Sequence, residues 1–132
     1  MKTSPLLIAV ALSLGVGAVS AQSWEYRSYR KGKTGQYEKD NFVAGTISVH
    51  QKDGQASFVM QAGNLDLCYR GALPATVTKT DELTVIEVTQ PVPGCEEFRY
   101  HIRNDGSGGY KETKRGERWV RSRFDHVLTP VK

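Results

Sequence analysis

The segment from Arg103 to Arg123 carries most of the side chains that could do chemistry. It contains seven basic residues and four glycines. A phosphate-binding loop requires glycines before a Lys-Ser/Thr pair and then a helix, whereas Tyr110-Lys111-Glu112 follows here and the next residues alternate like a strand. A helix-loop-helix calcium site would place His101 and Arg103 at ligand positions, and arginine cannot coordinate a cation. The segment therefore predicts neither kind of site.

The rest of the sequence lacks the common signals of catalysis. His50, His101 and His126 are far apart and do not have the spacing of metal ligands. No serine lies in a Gly-x-Ser-x-Gly elbow. We therefore predict no enzymatic activity, no metal and no cofactor. A small hydrolase whose site residues are distant in sequence is the alternative.

The N-terminus has the pattern of a bacterial export signal. Lys2 precedes an apolar run, Leu6 to Val19, and small residues end this run at Ala21, where a signal peptidase would cleave. The run is too short to cross a hydrocarbon layer of about 30 Å as a helix, so we expect no stable membrane anchor. We predict a removed signal peptide at residues 1–21, a single domain at 22–132, and a periplasmic or secreted location.

The chain has two cysteines, Cys68 and Cys95. An even number of cysteines in an oxidising compartment predicts a disulfide. Closing a loop of about 28 residues would stabilise the fold by about 3–4 kcal/mol in the chain-entropy description.

From residue 22 onward the sequence alternates with the period of a β-strand. Short runs rich in Val, Ile, Thr, Tyr and Phe are separated by Gly, Pro, Asn and Asp. The clearest hairpin turns at Lys52-Asp53-Gly54, because Asp-Gly supplies the positive φ angles of a tight turn. We predict an all-β fold, a small antiparallel barrel or sandwich of about eight short strands with one disulfide. The other predicted strands are WEYRSYR, LDLCYRG, ATVTKT, LTVIEVTQ, EFRYHIR, YKETK and RWVRSRF.

Alternation also assigns faces to the C-terminal strands, because cores take the apolar set. In EFRYHIR the inward set is Phe98, Tyr100 and Ile102, and the outward set is Arg99, His101 and Arg103. In RWVRSRF the inward set is Val120 and Phe124, and the outward set is Trp119, Arg121 and Arg123. Exposed arginine and tryptophan are residue types that anchor interfaces, although a solvated sheet face would have the same pattern.

The stretch GSGGYKETKRGERWV, Gly106 to Val120, resembles the loop region of the bacterial inhibitors of c-type lysozyme. Members of that family are small periplasmic or lipid-anchored β-barrels whose loop serine and a nearby lysine enter the acidic lysozyme cleft. The resemblance implies that Ser107, Gly108 and Tyr110 form such a finger, with Lys111 or Lys114 as the basic contact. The same glycines are also explained by two ordinary turns, at residues 104–106 and 115–117.

We therefore expect an exported, monomeric binding protein without catalytic activity. Its partner would be a protein with an acidic cleft or an anionic envelope polymer. The formal charge of +4 falls to +3 without Lys2, which together with export argues against a nucleic-acid partner. An envelope structural or assembly factor that docks through the basic face is the alternative. The candidate binding residues are Arg99, His101, Arg103, Ser107, Gly108, Tyr110, Lys111, Trp119, Arg121 and Arg123.

Overall fold

The computed structural model describes residues 19–31, 37–63, 65–122 and 125–131. Arg123, Phe124 and most of the predicted signal peptide lie outside these residues. The described chain forms nine strands and one short 3₁₀ helix, which confirms the all-β prediction. The strands are β1 (Val19–Lys31), β2 (Tyr37–Lys52), β3 (Gln55–Ala62), β4 (Leu73–Lys79), β5 (Leu83–Val88), β6 (Phe98–Arg103), β7 (Gly109–Arg115), β8 (Arg118–Arg121) and β9 (Asp125–Pro130).

The strands form one antiparallel sheet that curls into an open barrel. Their order is β6-β5-β4-β3-β2-β1-β9-β7-β8, and β6 also pairs with β7. Five residue pairs join β6 to β7, whereas the single pair Gly109–His126 joins β7 to β9. Strand β7 therefore has a five-pair ladder with β6 on one side, and on the other side it pairs with β8 through four residue pairs and with β9 only through Gly109.

The core lies inside the curl of the sheet and is rich in aromatic rings. Phe58 stacks on Tyr100 with 5.9 Å between ring centres, and Phe98 meets Phe58 edge-on at 5.3 Å. Phe98, Tyr100 and Ile102 are all buried, which confirms the inward set predicted for β6. Trp24, the first core residue of β1, is also buried. It lies three residues after Ala21, where signal-peptide cleavage stays a prediction.

The hairpin between β2 and β3 has the turn predicted from the sequence. Lys52 pairs with Gln55, so Asp53 and Gly54 form a two-residue loop. Their φ angles are 53° and 78°, and this left-handed conformation matches the right-handed twist of the flanking strands.

The predicted strand LDLCYRG is wrong, because the structure has a 3₁₀ helix at Leu67–Tyr69. The side chain of Asp66 accepts a hydrogen bond of 2.8 Å from the backbone N–H of Cys68, which offers the backbone a local alternative to a ladder. The helix is also tied to the segment before β6 by the disulfide between Cys68 and Cys95, whose Cα atoms are 5.7 Å apart. The predicted disulfide is thus confirmed.

Candidate functional site

The outward side of β6, β7 and β8 gathers most of the candidate binding residues. Glu112 lies opposite Arg99 on one side and opposite Arg121 on the other, while Tyr110 lies opposite His101. Directly opposite residues share a face of the sheet. We call this surface the β6–β8 face, and it comprises Arg99, His101, Arg103, Tyr110, Glu112, Lys114, Trp119 and Arg121, with Glu87 of β5 beside it.

A charge network centred on Glu112 organises the β6–β8 face. The Nε atom of Arg99 donates to Oε1 of Glu112 at 2.7 Å, and Nη1 of Arg99 lies 3.8 Å from Oε1 of Glu87. The Nε2 atom of His101 lies 2.6 Å from the same oxygen of Glu112. Because an ionised carboxylate only accepts hydrogen bonds, this Nε2 atom carries the proton. Burial raises the pKa of Glu112, but the hydrogen bonds from Arg99 and His101 outweigh burial and lower it overall.

Aromatic rings hold two arginines of the face in place. The guanidinium carbon of Arg99 lies 4.0 Å from the centre of the Trp119 ring, and that of Arg121 lies 4.2 Å from the centre of the Tyr110 ring. His101 stacks on Tyr110 at 4.4 Å with 14° between the ring planes. Two groups this close to one ring would overlap on a single face, so His101 and Arg121 cover opposite faces of Tyr110. Such cation–π contacts favour a fixed geometry for each cation.

The contacts on this face join five of the six candidate residues that lie on it, all except Arg103, and they add a further residue, Glu112. The outward orientation predicted for β6 is confirmed by the pairing of Arg99 and His101 with residues of this face. Glu112, the centre of the network, was not among the candidates. The sequence could have indicated Glu112 by its position two residues after Tyr110 in a predicted strand, because residues i and i+2 share a face. The five candidates that meet here are Arg99, His101, Tyr110, Trp119 and Arg121.

Lys111 lies on the other side of β7, away from the β6–β8 face. It pairs with the buried Tyr100, so its side chain points inward. Its Nζ atom donates to the hydroxyl of Tyr69 and lies 5.3 Å from the centre of the Phe98 ring. Burial lowers the pKa of Lys111 to about 8 and raises that of Tyr69 to about 12. The structure thus separates Lys111 from the surface residues with which the sequence grouped it.

The glycine-rich segment forms a short turn between β6 and β7. Gly106 and Gly108 have φ angles of 83° and 113°, a conformation that favours glycine. The backbone N–H of Arg103 donates to the carbonyl of Gly108 at 2.9 Å, and that of Ser107 donates to Oδ1 of Asp105 at 2.8 Å. Gly108 is buried and Ser107 is exposed, so the serine stands at the tip of a hydrogen-bonded turn.

Comparisons of the chain with protein-family models, with curated proteins and with solved structures found no match. Within the described residues, no group of three or more His, Cys, Asp or Glu side chains is arranged to hold a metal ion. No helix of the described chain is both long enough and apolar enough to span a membrane.

Proposed function

We propose that the protein is a non-catalytic binding protein that recognises an anionic partner through the β6–β8 face. The observation that carries this proposal is the stacking of Arg99 and Arg121 on aromatic rings of the same face. A guanidinium that is already held against a ring loses little side-chain entropy when it binds, and its planar N–H groups stay directed for bidentate contacts.

The charge of the face favours an anionic partner. Its four cationic side chains, Arg99, Arg103, Lys114 and Arg121, outnumber the two carboxylates of Glu87 and Glu112. Carboxylate, sulfate and phosphate groups all match the fork of an arginine.

The dimensions of the face favour an extended partner. Three neighbouring strands span about 10 Å, and Arg99 and Arg103 are about 13 Å apart along β6. An extended anionic polymer would contact several of these cations at once. With the predicted export, this would be an anionic polymer of the cell envelope.

Binding to immobilised polyglutamate, a model polyanion, tests the proposal. Arg118 and Arg121 are both exposed and lie on the same strand, but among the described residues only Arg121 stacks on Tyr110. We expect Arg121→Gln to weaken binding about tenfold, equivalent to about 1.4 kcal/mol, and the matched Arg118→Gln to change it far less. Trp119→Leu, which removes a ring without changing the charge, should also weaken binding.

Equal losses in Arg121→Gln and Arg118→Gln would contradict a specific face, because they would indicate binding by diffuse positive charge. The absence of binding at low ionic strength, where exposed charges are least screened, would contradict the proposal altogether.

A second candidate function is inhibition of a lysozyme through the β6–β7 turn. The exposed Ser107 at the tip of a hydrogen-bonded turn favours it. Lys111 points inward, and Lys114 is seven residues from Ser107, about 23 Å along an extended strand. The basic contact would therefore come from Arg103, which bonds to Gly108 across the turn.

Inhibition of lysozymes of several types by the purified, oxidised protein tests this candidate. Ser107→Ala and Arg103→Gln should each weaken sub-micromolar inhibition, while Glu117→Gln at the other turn of β7 should not. No inhibition at high micromolar concentration would rule it out.

A further inference from the structure

A pocket of about 510 Å³ lies where the β4–β5 turn and the β6–β7 turn meet at one end of the barrel. This volume is within the range of small-molecule sites. The β4–β5 turn contributes two carboxylates, and the β6–β7 side contributes a guanidinium, a third carboxylate and a tyrosine ring. The lining residues are Asp81, Glu82, Leu83, Arg103, Asp105 and Tyr110.

Asn104 fixes the two turns relative to each other. Its Nδ2 atom donates to the carbonyls of Thr80 at 2.9 Å and Asp81 at 3.2 Å. Its backbone N–H donates to the carbonyl of Glu82 at 2.9 Å, and its Oδ1 atom accepts from the hydroxyl of Thr84 at 2.6 Å. Thr84 is almost completely buried, so the anchor is set in the core. The pocket walls are therefore preorganised, which lowers the entropy that a ligand must overcome.

The opposite charges of the pocket face each other without pairing. In the part of the chain that the structure describes, no ion pair joins Arg103 to Asp81, Glu82 or Asp105, although pairs of this kind occur elsewhere on the barrel. Asp81 and Glu82 belong to one turn and Arg103 to the other, whereas Asp105 lies on the same turn as Arg103, and its pKa is lowered by hydrogen bonds with Ser107 and by the charge of Arg103. A ligand that enters must satisfy a guanidinium on one side and carboxylates on the other.

The charge pattern restricts the class of ligand. A metal ion is disfavoured, because the described residues contain no suitable ligand group and because Arg103 would repel a cation. A simple anion is disfavoured by three carboxylates in the same cavity. A molecule with both an ammonium and a carboxylate group would complement both walls.

We propose that this pocket binds a small zwitterion, an amino acid or short peptide, with its ammonium group against Asp81 and Glu82 and its carboxylate against Arg103. The guanidinium can hold the carboxylate through two parallel hydrogen bonds. Leu83 and Tyr110 provide the apolar contact between the two ends. The pocket shares Arg103 and Tyr110 with the β6–β8 face, but Asp81, Glu82, Leu83 and Asp105 lie outside that face, so a small ligand can bind here even if the face has no polymeric partner.

Titration of the purified, oxidised protein with glycylglycine, followed by backbone amide NMR, tests the proposal. We expect saturable shifts concentrated in the two turns, at residues 80–83 and 103–108. N-acetyl-glycylglycine lacks the ammonium group and glycylglycine amide lacks the carboxylate. Each blocked compound should bind at least about tenfold more weakly, the effect of losing about 1.4 kcal/mol.

Two matched pairs of variants locate the site. Arg103→Gln and Glu82→Gln should each weaken glycylglycine binding about tenfold. Arg118→Gln and Glu117→Gln make the same charge changes at the β7–β8 turn and should leave binding unchanged. An unshifted spectrum, equal binding of all three compounds, or equal loss in both pairs of variants would overturn the proposal.

Discussion

Replacing Glu112 with glutamine tests whether one carboxylate organises the β6–β8 face. This carboxylate accepts hydrogen bonds from Arg99 at 2.7 Å and His101 at 2.6 Å, and its side chain is only 17% exposed. Hydrogen bonds to charged groups contribute about 1.5–3 kcal/mol each. The glutamine oxygen can still accept both, but each bond to a neutral acceptor contributes only about 0.5–1.5 kcal/mol, so we expect the free energy of unfolding to fall by about 2 kcal/mol near pH 7.

The pH dependence of this loss follows from the pKa of Glu112. Burial raises that pKa, but the hydrogen bonds from Arg99 and His101 outweigh burial and bring it below its ordinary value of 4.5. A carboxyl group whose folded pKa is lower than its unfolded pKa stabilises the fold fully above the unfolded value. The contribution disappears as the pH falls through the folded pKa. The difference between wild type and Glu112→Gln should therefore shrink below about pH 4.5.

Urea unfolding near pH 7 and near pH 3, followed by tryptophan fluorescence, measures both effects. Glu117→Gln removes the charge of an exposed turn residue and should change the free energy of unfolding by less than about 0.5 kcal/mol. The reasoning would be refuted if Glu112→Gln were equally neutral at pH 7. A destabilisation of the same size at both pH values would also refute it, because the loss would then not depend on ionisation.

Three further substitutions probe other parts of the fold. The double variant Cys68→Ala/Cys95→Ala opens a loop with a sequence separation of 27 and should lower the free energy of unfolding by about 3.6 kcal/mol; a loss below about 1 kcal/mol in urea unfolding would contradict this. Burial lowers the pKa of Lys111 to about 8 from 10.5, so the folded state disfavours the ammonium form. The wild type should therefore gain stability relative to Lys111→Met as the pH rises through this interval, and a pH-independent difference in chemical denaturation would contradict the burial. A Cβ atom at Gly109 would lie 2.1 Å from the backbone oxygen of His101, so Gly109→Ala should cost about 2 kcal/mol and lower the melting temperature. Gly63→Ala, where a Cβ atom meets nothing within 4 Å, is the matched control. An equal effect of the two substitutions would argue against a close approach of β7 to β6 at Gly109.

Strand β7 shows why only part of the candidate site was predictable from the sequence. Its residues are almost all polar, so a period of two gives no apolar set to mark the inward side. The direction of Lys111 is decided by its register against Tyr100, a partner on another strand. In β6 every second residue is apolar, and the alternation correctly predicted which side chains point inward and which point outward.

The segment around Cys68 shows a different limit. Leu65, Leu67 and Tyr69 alternate with polar residues as they would in a strand. The local hydrogen bond from the Cys68 N–H to Asp66 and the anchoring disulfide favour a 3₁₀ turn instead. A period of two in hydrophobicity carries no information about hydrogen bonds between a side chain and the nearby backbone, which compete with the strand ladder.

The sequence by itself determined the all-β class, the Asp53-Gly54 hairpin, the single disulfide and the two faces of β6. Each of these depends on near neighbours in the chain or on a count of residues. Only the tertiary structure decided that β7 lies between β6 and β8, and hence that Glu112 meets Arg99 and that Lys111 faces the core. Strand neighbours and register depend on packing between distant segments, and a shift of one residue would reverse every side chain of a strand.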